Sequence, residues 1–220
     1  MTELSLEVSG QLERVVDGLV AHTAGEIHRH DLRAVVLDCY AQLAAHATIT
    51  TFLPILTERF ALVQLRAQGI LSGEISKNVP EVLVVDEHNA ARSQTAAALI
   101  RFYAPGRFHV TSAGETPRGP ISPVVTELLG EVGLGLTDFP KPATDELMIA
   151  ADVVIVIGDV GLDLDSVPGE VVRWDVPAAD LDDRQDQRAT LAETDASVRR
   201  FLRAIQPDHA LHEPVLTSEA

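Results

Sequence analysis

The chain has 220 residues, of which 46% are hydrophobic, so it can bury one good core and a small second one. Its 33 acidic residues against 17 basic ones give a net charge of −16, which disfavours nucleic acids and anionic membranes as partners. No segment has the length and freedom from charge of a membrane span, and the first residues lack a signal-peptide pattern. We therefore expect a cytoplasmic protein.

Residues 1–76 are predicted to form a separate domain of three helices. Apolar residues recur at the spacing of one helix face in three stretches, around residues 12–20, 32–43 and 56–63. Thr51 is expected to cap the third helix, with Pro54 in its first turn, and Gly69 and Gly73 are expected to close it. Because each helix is apolar on one side only, the three are predicted to bury one another as a three-helix bundle.

The same region carries the only cysteine, Cys39, and several histidines. Cys39 lies on the apolar stripe of the second helix, so we expect it to pack in the core, and a single cysteine cannot form an internal disulfide. His22, His28 and His30 are not spaced to meet on one helix face. The later segment "GEVGLGL" does not follow a strand, which argues against a dinucleotide loop. The sequence therefore predicts neither a cofactor nor a metal site.

From residue 80 to residue 206 predicted strands alternate with helices. The strands are the apolar runs "EVLVV", "RFHVTSAG", "DVVIVIG" and "GEVVRW". Helical patterns lie between or after them, near residues 95–103, 122–132, 144–151 and 187–205. This order predicts an α/β domain with a four-stranded parallel sheet flanked by helices. Residues 207–220 are expected to form a flexible tail.

The loop after the first strand is the candidate binding site. Ligands of such sheets bind beyond the carboxyl ends of the strands, and this loop opens a helix. Backbone N–H groups of the loop can converge on one anion, to which the helix N-terminus adds positive charge. Arg92 can grip two oxygens of a phosphate-like group. The predicted anion loop comprises Glu87, His88, Asn89, Ala90, Ala91, Arg92 and Ser93.

The segment "VLVVDEHNAARSQTAAALI" resembles the active-site segment of the low-molecular-weight tyrosine phosphatase superfamily, most closely that of its arsenate reductase branch. In that branch the loop reads Cys, five residues, Arg and Ser, and the loop here has the same length. The resemblance continues through "VTSAGETPRGPISPVVTELLGEVGL", "PKPATDEL", "ADVVIVIGD" and "RWDVP", and covers Glu81 to Ile205. The helical region resembles the three-helix extension of some actinobacterial members. The resemblance implies the low-molecular-weight phosphatase fold.

The two reacting groups that this resemblance implies are both missing. The nucleophilic cysteine of the family falls on Asp86, and the Asp-Pro pair that supplies a general acid falls on Ala178 and Ala179. Arsenate reduction proceeds through a sulfur–arsenic adduct, and the loop has no sulfur. We therefore predict a catalytically degenerate member, a pseudoenzyme with a binding or regulatory role.

Asp86 is expected to interfere with anion binding. Backbone N–H donors and a nearby arginine favour an ionised carboxylate, which would occupy the place of the ligand. At about 4 Å and an effective dielectric constant near 20, each pair of like unit charges costs about 4 kcal/mol, roughly a thousandfold in affinity. The sequence predicts weak or no oxyanion binding and an ion pair between Asp86 and Arg92. Ser93 is expected either to cap the helix or to hydrogen-bond the residue at the nucleophile position, and His88 to brace the backbone.

Two other functions stay open. The first is a phosphoric monoester hydrolase in which Asp86 is the nucleophile, Arg92 and Ser93 complete the catalytic set, and a metal ion held with Glu87 and Asp159 offsets the charge. The tight loop leaves little room for a hydrated cation. The second is an oligomeric scaffold with a silent loop. The helical bundle is the expected surface for a partner protein in the regulatory reading, and for a second copy of the chain in the scaffold reading.

Overall fold

Three helices form the N-terminal part of the protein. The computed structural model describes residues 5–47, 50–136 and 138–205, and the predicted tail lies outside them. The helices are α1 (Leu6–His22), α2 (Arg29–Ala44) and α3 (Leu53–Ser72). Each of them packs against the other two, and together they form a compact unit that ends at Ile75.

The predicted apolar stripes line the interior of this helical unit. Val16 of α1, Val36 of α2 and Phe60 of α3 are all buried, and Cys39 is buried with them. The stripes are buried because each helix has only one apolar face and the other two helices supply the cover for it.

The two ends of α3 differ from the prediction. Phe52, not Thr51, is the residue before the first helical turn, and no side chain caps it, although Pro54 lies in the first turn as expected. Gly69 does not close the helix but lies inside it, where a Cβ would come within 2.7 Å of Ile75 Cδ1. Gly73 ends the helix in the left-handed conformation, with φ of +79°.

The second compact unit begins at Ser76 and contains the predicted four-stranded parallel sheet flanked by helices, which confirms the fold class. The sheet order is β2-β1-β3-β4, and every neighbouring pair is parallel. Its strands are β1 (Glu81–Asp86), β2 (His109–Gly114), β3 (Val153–Ile157) and β4 (Glu170–Trp174). Its helices are α4 (Arg92–Tyr103), α5 (Pro123–Glu131), α6 (Asp145–Ala150) and α7 (Arg184–Ile205).

The central strand β1 ends at the candidate site. All six of its residues are buried, as the apolar run predicted for a strand covered on both faces. Helices α4, α5 and α7 share one apolar cluster with alternate residues of β1 and β3. The Tyr103 hydroxyl donates a hydrogen bond of 2.6 Å to Asp195 and so joins α4 to α7. The start of α4, which forms the end of the loop, is therefore held on a packed core.

Candidate functional site

Asp86 lies at the carboxyl end of β1 and binds the backbone of its own loop. The residue is 3% exposed. Its Oδ1 accepts a hydrogen bond of 2.6 Å from the Asn89 N–H, and its Oδ2 accepts one of 3.1 Å from the Ser93 N–H. One carboxylate thus joins the middle of the loop to the first turn of α4. These two N–H groups belong to the loop that the sequence predicts to bind an anion.

Arg92 does not pair with Asp86, so the predicted ion pair is wrong. The two side chains have no N···O contact within 4.0 Å, although the structure describes both residues. Arg92 Nη1 instead donates a hydrogen bond of 2.9 Å to the carbonyl of Val176, just after β4. A Cβ at Gly158 would lie 3.0 Å from the same nitrogen, so a larger residue there would crowd the guanidinium. The backbone just after β4 therefore holds Arg92 through one hydrogen bond.

Asn89 organises the loop from its buried centre. It has a φ of +52°, a conformation that asparagine adopts more readily than most residues. Its Nδ2 donates a hydrogen bond of 2.9 Å to Ser93 Oγ, and its Oδ1 accepts one of 3.1 Å from the Lys141 N–H. The Gln94 amide nitrogen also lies 3.2 Å from Asn89 Oδ1. The sequence showed Asn89 only as a match to the family, because its contact with Lys141 is a tertiary one.

Ser93 fills neither of the two roles expected for its side chain. The residue before α4 is Ala91, and no side chain caps the helix. Ser93 Oγ accepts a hydrogen bond from Asn89, while only the backbone N–H of Ser93 reaches Asp86. His88 Nδ1 lies 3.2 Å from the Thr116 carbonyl oxygen, so this histidine contacts backbone.

A cleft of about 260 Å³ opens beside the loop. The loop supplies Asp86, Glu87 and Arg92 to its lining. Ala178 and Ala179, which the resemblance assigns to the positions of the family's general acid, line the same cleft from the segment after β4. The structure therefore brings Asp86 and these two alanines to one cleft. Neither alanine side chain has an acidic proton that it could donate to a leaving group.

Gln187 is a cleft residue that the sequence did not reveal. It lies near the start of α7, lines the cleft and is 1% exposed. Its Nε2 donates a hydrogen bond of 2.9 Å to the Asp180 carbonyl oxygen. Its Oε1 is buried and has no hydrogen-bond partner among the described residues. The residue falls in a polar helical stretch, and its contact with Asp180 is not visible in that pattern.

The segment that contacts Asn89 carries an ion pair between the buried Lys141 and the partly buried Asp138. Lys141 is fully buried, and its Nζ donates a hydrogen bond of 2.5 Å to Asp138 Oδ1. Burial by itself raises the pKa of Asp138, but the Lys141 charge and hydrogen bond, the Phe139 N–H and Arg101 lower that pKa below its ordinary value of 3.8. The Lys141 backbone meets Asn89 through its N–H and Gly114 through its carbonyl. This pair therefore positions the segment on which the loop rests.

Within residues 5–47, 50–136 and 138–205, no three His, Cys, Asp or Glu side chains are close enough together to hold a metal ion. Asp86, Glu87 and Asp159 therefore do not form such a group. No helix in these ranges is both long enough and apolar enough to cross a membrane.

Comparisons with known proteins agree with this architecture. Residues 12–69 match the family described as "Protein-tyrosine-phosphatase-like, N-terminal domain", and residues 81–163 match "Low molecular weight phosphotyrosine protein phosphatase". A thioredoxin-dependent arsenate reductase from Corynebacterium glutamicum is similar over 93% of this chain and 99% of its own, with 32% identity and a TM-score of 0.80.

Two further solved structures resemble part of the chain in fold alone. The tyrosine phosphatase AmsI from Erwinia amylovora is 23% identical over 57% of this chain and 93% of its own, with a TM-score of 0.51. The arginine phosphatase YwlE from Geobacillus stearothermophilus is 19% identical over 61% of this chain and 99% of its own, also with a TM-score of 0.51.

Proposed function

The chain belongs to the low molecular weight phosphotyrosine protein phosphatase family, in its arsenate reductase branch, and we propose that it is a degenerate member that acts by binding. In this proposal the Asp86 carboxylate stands in place of the nucleophile and also fills the anion site. The protein then has a regulatory or partner-binding role, and its expected location is the cytoplasm.

One observation carries this proposal: both Asp86 oxygens accept backbone hydrogen bonds from the loop. The N–H groups of Asn89 and Ser93 are thereby used by an internal anion. An incoming phosphate would have to displace the carboxylate or lie against it. Two like charges about 4 Å apart cost about 4 kcal/mol at an effective dielectric constant near 20, before screening. Phosphate should therefore bind this loop weakly or not at all.

The other residues of the cleft support the loss of chemistry. Arg92 lines the cleft, and its Nη1 donates a hydrogen bond to the Val176 carbonyl. Ala178 and Ala179 offer no general acid. Cys39, the only cysteine, is buried in the helical unit, where it packs in the core. Thiol-based catalysis at the loop would need a sulfur that the loop does not have.

The helical unit is the proposed surface for a partner. Phe52 and Ile55, at the start of α3, are 61% and 60% exposed. They are three residues apart, so they lie on the same side of the chain as it enters the helix. Exposed apolar residues grouped in this way are typical of interaction surfaces. The partner is either another protein or a second copy of the chain.

A restoration series tests the proposed loss of catalysis. Phosphate binding by calorimetry and turnover of an aryl phosphate are measured for the native chain, Asp86→Cys, and Asp86→Cys with Ala178→Asp. We expect no measurable binding or turnover for the native chain. Asp86→Cys is expected to gain roughly a thousandfold in phosphate affinity. Turnover is expected only for the double variant, Asp86→Cys with Ala178→Asp. Asp86→Asn is the control that removes the charge without adding sulfur.

The outcomes of this series are distinct. Tight phosphate binding or turnover by the native chain contradicts the proposal. Magnesium-dependent turnover that Asp86→Asn abolishes would establish the alternative phosphatase in its place. A gain of binding in both Asp86→Cys and Asp86→Asn shows that charge alone blocks the native site.

A further inference from the structure

One wall of the cleft is a segment that belongs to no helix or strand. Residues 176–181, which we call the strap, follow β4 and supply Ala178, Ala179 and Leu181 to the cleft lining. Among the described residues, no backbone-to-backbone hydrogen bond joins residues 175–179 to another element. Because the strap has no such ladder to hold it, its position depends on side-chain contacts.

Three side chains hold the strap by its carbonyl groups, one near its beginning and two at its end. The bonds run from Arg92 Nη1 to Val176 (2.9 Å), from Gln187 Nε2 to Asp180 (2.9 Å) and from Ser122 Oγ to Leu181 (3.1 Å). Gln187 and Ser122 are 1% and 3% exposed, so water competes little with their bonds. A further contact, from Thr190 Oγ1 to the Pro177 carbonyl, is 3.5 Å long and adds little.

Two of these three bonds connect the strap to the anion loop. Arg92 is itself a loop residue and begins α4. The Ser122 N–H donates a hydrogen bond of 3.1 Å to the carbonyl of Ala90 in the loop, while the Ser122 hydroxyl donates to Leu181. A rearrangement of the loop at Arg92 or Ala90 therefore reaches the strap directly.

The guanidinium of Arg92 lies against Gly158, next to the strap. A Cβ at Gly158 would be 3.0 Å from Nη1 and 3.5 Å from Nη2, so both terminal nitrogens lie at this position. An arginine grips a phosphate-like group with the same pair of nitrogens or with one of them and Nε. Such an anion would offer Arg92 two charged acceptors in place of one neutral carbonyl. An anion in the loop would therefore compete with Val176 for Arg92.

We propose that the strap is a lid on the cleft, which Arg92 holds closed and which an anion in the loop releases by drawing Arg92 away from Val176. In the native chain Asp86 fills the anion site, so Arg92 stays on Val176 and the strap stays closed. Val176 itself is 2% exposed and remains in the core, so the part that moves is residues 177–181. This inference rests on the proposed function, because the filled anion site is what leaves Arg92 to the strap.

The first test measures how firmly the side chains hold the strap. ¹⁵N relaxation gives order parameters for the amides of Ala178 and Ala179, which lie between the held carbonyls. We expect about 0.85 in the native chain, as in rigid backbone, and below about 0.6, as in flexible backbone, in the double variant Arg92→Met with Gln187→Met. Each single variant is expected to give intermediate values, and the single variants suffice if the double variant does not fold.

Matched controls remove the same groups away from the strap. Arg101→Met deletes another arginine-to-carbonyl bond of α4, the one from Arg101 to Val110. Gln185→Met replaces an exposed glutamine two residues before Gln187. Both controls are expected to keep the native order parameters of the strap. A native strap that is already flexible, or equal values in the tether variants and the controls, overturns the inference.

The second test asks whether an anion releases the strap. Phosphate is titrated into the native chain and into Asp86→Ala, with Asp86→Asn as a second variant. The order parameters of the strap are compared with the amide shifts of Asn89 and Ser93. In the variants we expect phosphate to shift both loop amides and to lower the order parameters of the strap to those of Arg92→Met. In the native chain we expect neither change.

The outcomes separate this inference from the proposed function. If phosphate shifts the loop amides of the native chain to saturation, the proposed function is wrong. If phosphate binds the Asp86 variants while the strap stays rigid, the release by an anion is wrong and the proposed function stands. If phosphate binds none of the three chains, Asp86 is not what blocks the site, and both are wrong.

Discussion

Two carboxylates of the same unit, the buried Asp86 and the partly buried Asp138, are stabilised in different ways. Asp138 has its own cation, because the fully buried Lys141 donates to it at 2.5 Å. Asp86 has no cation within ion-pair distance among the described residues and is held by the backbone N–H groups of Asn89 and Ser93. Asp138 is therefore stabilised by a side-chain cation, whereas Asp86 is stabilised by the backbone of its own loop.

Removing the lysine should produce the largest effect. Lys141→Met removes the closer cation of the partly buried Asp138 and leaves it only the longer contact of 3.6 Å with Arg101, which is expected to lower the free energy of unfolding by up to about 3–5 kcal/mol. Lys77→Met is the matched control, because Lys77 pairs with Asp152 at the surface, where such pairs contribute about 0–1 kcal/mol. Urea unfolding of both variants measures the difference. Similar losses in the two variants would show that Asp138 does not depend on Lys141.

Crowding at Gly114, which lies between the Lys141 segment and the Asn89 loop, should have the next largest effect on stability. Gly114 hydrogen-bonds Lys141, and a Cβ on it would come within 2.9 Å of the Asn89 backbone nitrogen. Gly114→Ala is therefore expected to destabilise the protein by about 1–3 kcal/mol. Gly130→Ala in α5 meets no atom within 4 Å and should be neutral or stabilising, by up to about 1 kcal/mol. Thermal unfolding compares them, and a tolerated Gly114→Ala would mean that the loop can move aside.

The smallest effect should appear only in acid. Because the pKa of Asp138 lies below its ordinary value of 3.8 in the folded protein, the pair contributes its full stability above that pH. The contribution is lost as the pH falls through the lowered pKa. Unfolding free energies at pH 7 and pH 3 should therefore differ less in a Lys141→Met, Asp138→Leu double variant than in the native chain. If the difference between pH 7 and pH 3 is the same in the double variant and the native chain, Asp138 does not contribute to the loss of stability in acid.

Much of the fold was accessible from the sequence, since it rests on local patterns. The apolar run of β1 and the alternation of strands with helices predicted the parallel sheet, because these patterns depend on neighbouring residues. The end of α3 at Gly73 followed for the same reason, whereas Gly69 was misassigned because its close contact with Ile75 is not visible in a local pattern.

The candidate site was predicted less completely, because its bonds join distant segments. Asp86 was placed correctly at the end of β1, but the ion pair with Arg92 was wrong. Arg92 binds Val176, which is 84 residues away in sequence. The burial of Gln187 was missed because its position in a polar helical stretch did not indicate it. Only the family resemblance, not the pattern of residues, placed Ala178 and Ala179 at the site.

The central claim is that the Asp86 carboxylate occupies the N–H groups that would bind an anion. Its most direct test is a phosphate titration of ¹⁵N-labelled protein, following the amide resonances of Asn89 and Ser93 in the native chain and in Asp86→Ala. We predict that millimolar phosphate leaves both resonances unchanged in the native chain and shifts them to saturation in the variant. Saturable shifts of these two amides in the native chain would contradict the claim.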